Sequence, residues 1–319
     1  MRTALSAVAI GASLACACQL ASAQTVTVTQ QGYGNTSSAE QVGAIPTAPN
    51  EPVGATATIT QVGDNNHVGG PGASSSGIFQ RDNRFGGLLA VVEQVGSGNN
   101  AGITQDVTSG GNGAFAASIT QRGALNDATV RQNIVDFSPA TVEQNGTGNI
   151  ARVEQVRSGN IHFRATQNGT GNRLAVSQID TGLAGPEVTQ NGDGNIASVV
   201  VDAMGGAGTN IQQTGTMNSV STVQSMGFDS SITIGQLGSG NHAKANQTGD
   251  IERATIDQNG SNNLASVTQS RLTSSPFGNT AQIAQLGSSN RAIVRQAGDG
   301  YVANVNQTGS GNWTSIYQH

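Results

Sequence analysis

The chain has 319 residues and a formal net charge of −5, with 10% charged residues, 3% aromatic residues and 44 glycines. A mildly acidic chain without a Lys/Arg cluster is not a nucleic-acid or anionic-lipid binder by composition. So few large apolar side chains also exclude a conventional globule around one packed core.

The first element in chain order is a leader. Met1-Arg2 is a short positive start, the run from Thr3 to Cys18 is small and apolar, and Ala21-Ser22-Ala23 is a small-x-small cleavage pattern. A signal peptide over residues 1–23 is expected, and with it a secreted or cell-surface protein without a membrane span in the mature chain. Both cysteines, Cys16 and Cys18, lie inside this leader, so disulfides are not expected to hold the mature chain together.

From Gln24 onward one pattern recurs. A leading Gln stands at Gln30, Gln61, Gln94, Gln121, Gln144, Gln167, Gln190, Gln213, Gln236, Gln258, Gln285 and Gln307. Two residues on, each start has glycine: Gly32, Gly63, Gly96, Gly123, Gly146, Gly169, Gly192, Gly215, Gly238, Gly260, Gly287 and Gly309. Five residues on, each has asparagine: Asn35, Asn66, Asn99, Asn126, Asn149, Asn172, Asn195, Asn218, Asn241, Asn263, Asn290 and Asn312. Eleven residues on, a second glutamine stands at Gln41, Gln105, Gln132, Gln155, Gln178, Gln224, Gln247, Gln269, Gln296 and Gln318. Val201 breaks this last series, and in the interrupted second repeat Gln80 is expected to fill the place. Twelve matches at three fixed offsets mark a repeat protein.

Residues 24–143 hold irregular repeats with insertions around 42–57, 69–77, 81–89 and 106–116. Residues 144–319 hold regular repeats at a period of 22–23, with one further insertion near 270–280. Pro46, Pro49, Pro52, Pro71 and Pro276 fall in the insertions, which read as loops leaving one edge of a continuous stack.

Within a repeat the alternation has period two, the mark of strands. Val or Ile precedes the leading Gln by two positions in all repeats but one, where Ala165 stands. After the turn, residues such as Asn149, Ala151, Val153 and Gln155 share a face. Each repeat therefore reads as strand, Gly-x-x-Asn turn, strand and second turn. The expected fold is all-β: a β-solenoid of about twelve strand-turn-strand coils stacked into two parallel sheets about 4.8 Å apart coil to coil. Its interior is half amide. Gln and Asn can be buried there only if each bonds its counterpart one coil away, as in cross-β ladders.

This pattern resembles curlin, the repeat of curli fibre subunits, which reads Ser-x5-Gln-x-Gly-x-x-Asn-x-Ala-x3-Gln. The alanine is present at 101, 128, 151, 197, 243, 265 and 292; the leading serine is met only by Ser138 and Ser230. The chain looks like an enlarged relative, and it lacks a Gly-rich export segment before the first repeat. The resemblance implies a secreted structural subunit that self-assembles into extracellular amyloid fibres for adhesion and biofilm matrix. It also implies partners: further copies of itself, a nucleating homologue and outer-membrane export machinery. The rival readings are a monomeric β-solenoid adhesin or surface-binding protein whose inserted loops carry recognition, and a minor nucleating subunit of such fibres.

Nothing in the pattern calls for catalysis, a cofactor or a metal. His67, His162, His242 and His319 lack ligand spacing, and no Ser/His/Asp set or recurring carboxylate pair is present. Gly192-Asp193-Gly194-Asn195 reads as a tight turn, not a calcium loop, and the Thr-x-Thr runs at Thr25 and Thr56 read as strand residues. Outward charges such as Arg131, Arg152, Arg173, Lys244, Arg291, Arg295, Asp193, Asp250 and Asp299 are expected to solvate the stack and restrain premature aggregation.

Overall fold

The computed structural model describes residues 24–42, 54–69, 77–82, 87–107, 115–133, 137–183, 185–271 and 277–319. The expected leader over 1–23 and most of the inserted residues lie outside the described residues. The described residues form strands and turns without a helix, in two compact units that divide after Gly148.

In the unit up to Gly148 the first sheet runs Thr25–Gln31, Ala55–Asp64, Leu88–Ser97, Phe115–Ala124 and Ala140–Thr147, all parallel. The second sheet contains Asn100–Val107 and Asp127–Asn133 as continuous strands. Before them it is split, into Thr36–Ser37 and Ala39–Val42 and then into His67–Val68 and Ile78–Asp82. The insertion around 69–77 explains the second split. It imposes the first as well: Ser38 N–H donates to Val68 O while Ser38 O accepts from Ile78 N–H, so the earlier coil follows both edges of the gap.

In the unit from Asn149 the first sheet has seven parallel strands, from Phe163–Thr170 and Gly185–Asp193 to Thr280–Ser288 and Val302–Ser310. The second has eight, from Ile150–Val156 to Arg291–Ala297 and Trp313–Gln318. In both units the register sets leading Gln on leading Gln and turn Gly on turn Gly, as in Gln190↔Gln213 and Gly192↔Gly215. This is the two-sheet parallel β-solenoid that the repeat predicts.

The reason lies in which side chains are covered. Ile59, Val92, Ile119 and Val142 of one unit, and Val188, Ile211, Ile234, Ile256 and Ile283 of the other, are buried two positions before their glutamines. β-Branched chains fit this pleated inner surface. In the second sheet the inner places are taken by small residues such as Ala101, Ala128, Ala151, Ala197, Ala243, Ala265 and Ala292, each followed two residues on by an apolar residue and then, except at Val201, by a buried amide. Large residues enter where there is room: Phe115 is buried beside Leu88 and Ala55. With apolar burial this thin, at about 25 cal/mol per Å², hydrogen bonding must hold much of the fold.

Candidate functional site

The leading glutamines form a ladder in each unit. Nε2 of Gln30 donates to Oε1 of Gln61 at 2.6 Å, and Gln61, Gln94, Gln121 and Gln144 continue at 2.8 Å per step. From Gln167 the ladder runs through Gln190, Gln213, Gln236, Gln258 and Gln285 to Gln307 at 2.7 to 2.9 Å. The second amide hydrogen crosses to the other sheet: Gln213 Nε2, for example, donates to Ile196 O at 3.0 Å. Each buried amide thus ties coil to coil and sheet to sheet. A bond of this kind nets about 1 kcal/mol, whereas leaving either group unpaired costs about 1–3 kcal/mol.

The second glutamines repeat this chemistry. Gln41, Gln80, Gln105 and Gln132 bond in series at 2.8 to 2.9 Å, so Gln80 does stand in the ladder despite its displaced position in sequence. Gln155 donates to Gln178 at 2.9 Å, and Gln224, Gln247, Gln269, Gln296 and Gln318 form a further run. Between these two runs the ladder has a fault. Gln178 aligns with Val201, its Nε2 is buried without a partner, and Oε1 of Gln224 accepts instead from Thr209 Oγ1 at 2.6 Å.

The asparagines run in the opposite sense. Asn172 donates from its backbone N–H and its Nδ2 to Oδ1 of the preceding Asn149, at 3.0 and 3.1 Å. Its Nδ2 also reaches forward to the carbonyl of Gly192 at 2.7 Å. Asn195, Asn218, Asn241, Asn263 and Asn290 each repeat both contacts, Asn312 donates back to Asn290, and Asn66, Asn99 and Asn126 form the series in the other unit. Asn35 begins it, accepting from Asn66 N–H and donating to Gly63 O. The turn glycines make this approach possible. At Gly169 and Gly192 φ is +111° and +112°, and a Cβ on either would overlap the carbonyl of the glycine one coil further on.

A fourth ladder lies at the second turn, and the sequence reading missed it. Ser230 Oγ donates to Gly249 O and accepts from Glu252 N–H. Glu252 in turn accepts from Asn279 through its backbone N–H at 3.1 Å and its Nδ2 at 3.0 Å, and Asn279 Oδ1 accepts from Tyr301 N–H. Glu252 is fully buried. Burial pushes its carboxyl up to about 7, against the Asn279 bonds and the nearby Arg271 charge. Arg271, itself nearly buried, pairs with Asp299 at 3.1 Å and donates to Asp250 O. The signal was present: Gln247-Thr-Gly249-Asp-Ile-Glu252 copies the spacing of the first turn with Glu in place of Asn. Asp193 and Asp250 do more than solvate, since their carboxylates accept the N–H of Thr170 and Phe228 in the preceding coil.

Residues 278–309 match the family model of the curlin associated repeat. That segment contains Gln285, Gly287 and Asn290, the pattern whose other copies line the same ladders. The chain carries a curlin associated repeat. No curated protein matches it. Curlin repeats on a two-sheet parallel β-solenoid are the makeup of a curli-like fibre or adhesin-type protein.

Proposed function

We propose that this curlin-repeat chain is a secreted subunit that self-assembles through its coil faces into curli-like extracellular amyloid fibres, serving surface adhesion and biofilm matrix. The observation that carries the reading is the direction of the ladders. Leading-glutamine Nε2 points to the following coil, and each asparagine reaches back to the Oδ1 of the preceding one while its Nδ2 also reaches the next glycine carbonyl. The two faces of a coil are therefore complementary to each other, and a face of one copy fits the opposite face of any coil in another. Stacking in the same sense continues the glutamine ladders, while reversed stacking sets glutamine oxygen against oxygen at one face or amide nitrogen against nitrogen at the other. A pleated edge with such chemistry is a template for further strands.

Export after loss of residues 1–23, a nucleating homologue and an outer-membrane exit route belong to the same proposal and rest on the curlin likeness. The rival, an adhesin that stays monomeric, has one observation in its favour. Most inserted segments (43–53, 83–86, 108–114, 134–136 and 272–276) come in sequence between a second-sheet strand and the next first-sheet strand.

Electron microscopy with thioflavin T on the chain refolded from denaturant at neutral pH separates the two. Unbranched fibres with a reflection near about 4.8 Å are expected. A soluble, β-rich monomer that stays so would overturn the fibre reading in favour of the adhesin.

A further inference from the structure

The outer face of the second sheet changes character over its last four strands, His242–Thr248, Leu264–Ser270, Arg291–Ala297 and Trp313–Gln318. None of these strands contains an acidic residue, although the chain has 19. They carry Lys244, Arg291 and Arg295, all exposed. Of the four earlier strands of the same sheet in this unit, Ile150–Val156 carries Glu154 and Ile196–Gly205 carries Asp202, while Arg173–Ile179 and Ser219–Phe228 carry no acid. The last four differ in joining an unbroken acid-free run to three cations and two exposed rings. The acids of the adjoining turns are engaged elsewhere, Asp250 with Phe228 N–H and Asp299 with Arg271.

On this face stand two exposed aromatic residues, Trp313 at 68% and Tyr317 at 64% exposure, the former being the chain's single tryptophan. They lie four residues apart on one side of one strand, about 13 Å at the rise of a pleated strand. The register sets Arg291 beside Trp313 and Arg295 beside Tyr317. The Arg295 guanidinium sits 5.6 Å from the Tyr317 ring centroid and donates to its hydroxyl at 3.1 Å, which holds ring and cation as one unit.

We propose that this face binds an acidic polysaccharide, with sugar rings against Trp313 and Tyr317 and sugar carboxylates on Arg291, Arg295 and Lys244. Exposed aromatic rings present apolar surface to the C–H faces of sugars while their polar edges stay wet. Guanidinium groups match carboxylates with paired hydrogen bonds. The cations are widely spaced, as in a polymer charged only on some of its sugars. Duplex DNA carries one charge per about 1.7 Å of helix, a density that three cations on a net-negative chain do not meet. The surface goes beyond fibre formation, and it is present on each copy whether or not copies assemble.

The test is retention of the full refolded chain on immobilised alginate, on neutral dextran and on single-stranded DNA, with assembly followed separately by thioflavin T. Retention on alginate, little on dextran, and release by about 0.5 M salt are expected. The Arg291→Gln/Arg295→Gln variant should bind alginate about tenfold more weakly and Trp313→Ser about fivefold, while Asn304→Ala/Asn306→Ala on the other sheet should bind as the native chain does. All these side chains point outward, and circular dichroism confirms the β fold of each variant. The proposal fails if alginate is not retained, if the double arginine variant binds unchanged, or if DNA is held more tightly than alginate. A chain that binds alginate but never fibrillates would overturn the fibre reading and leave this one standing.

Discussion

The two turns of one coil meet their neighbours differently. At the first turn, Gly192 has φ +112° and faces the carbonyl of Gly215 so closely that no side chain fits. Past the second turn, a Cβ at Gly208 would find no heavy atom within 4 Å, although within that turn Gly227 and Gly278 do lie against the carbonyls of Gly249 and Ile251. The first turn repeats Gly-x-x-Asn without exception; the second uses Ser230, Glu252 and Asn279 in succession and takes most of the insertions. At the first turn, where glycine backbones meet at step after step, composition is fixed and length is constant. Where there is clearance, a coil can change residues, open a loop or change chemistry and still keep register, because the first turn sets it.

The sharpest way to break this comparison is a pair of substitutions. Gly192→Ala is expected to destabilise the folded chain by about 3 kcal/mol or more, from a left-handed backbone and a backbone overlap together. Gly208→Ala is expected to stay within about 0.5 kcal/mol of the native chain. Denaturant unfolding of both variants measures the difference, and equal costs would show that the two turns are under equal constraint.

The next effect is a dependence on pH set at the second turn. The Glu252 carboxyl is raised by burial from 4.5 to about 7. Its contribution is thus fully present below about pH 4.5 and is lost as pH rises through about 7. The total is at most about 3 kcal/mol, less what solvent screening removes at the turn. Unfolding midpoints taken from pH 4.5 to pH 8 should fall for the native chain and flatten for Glu252→Gln. A native profile without this slope would mean that Arg271 and the Asn279 bonds hold the carboxylate charged throughout.

The smallest effect tests the fault beside the same turn. Val201→Gln gives the stranded Nε2 of Gln178 an acceptor and offers Gln224 its ladder donor, so a gain of about 1 kcal/mol is expected in chemical denaturation. A loss would show that Val201 packing and the Thr209–Gln224 bond together exceed a continuous ladder.

The same contrast explains how much could be read from sequence. The first turn, its glycines and the Gln and Asn positions were legible because one geometry demands one residue type at each of twelve places. The strands were legible from alternation, since Ile211 or Val153 faces inward while its neighbours face out. The second-turn ladder was not, because serine, glutamate and asparagine occupy equivalent places and share a hydrogen-bonding role, not a letter. Nor could spacing reveal that Arg271 is buried, or that the split at Ser38 is imposed by an insertion one coil away.

The opposed sense of the glutamine and asparagine ladders has an electrical consequence. Aligned peptide dipoles in a helix sum to partial charges at its ends, and a one-way amide ladder would likewise build an axial field. Here the Asn149–Asn172 step opposes the Gln167–Gln190 step, and parallel strands contribute little net dipole themselves. The axial field is thereby reduced as coils accumulate. In the fibre proposed above, the end of a long stack would present an incoming chain with nearly the same potential as the end of a short one, so the rate of addition per end should not depend on length.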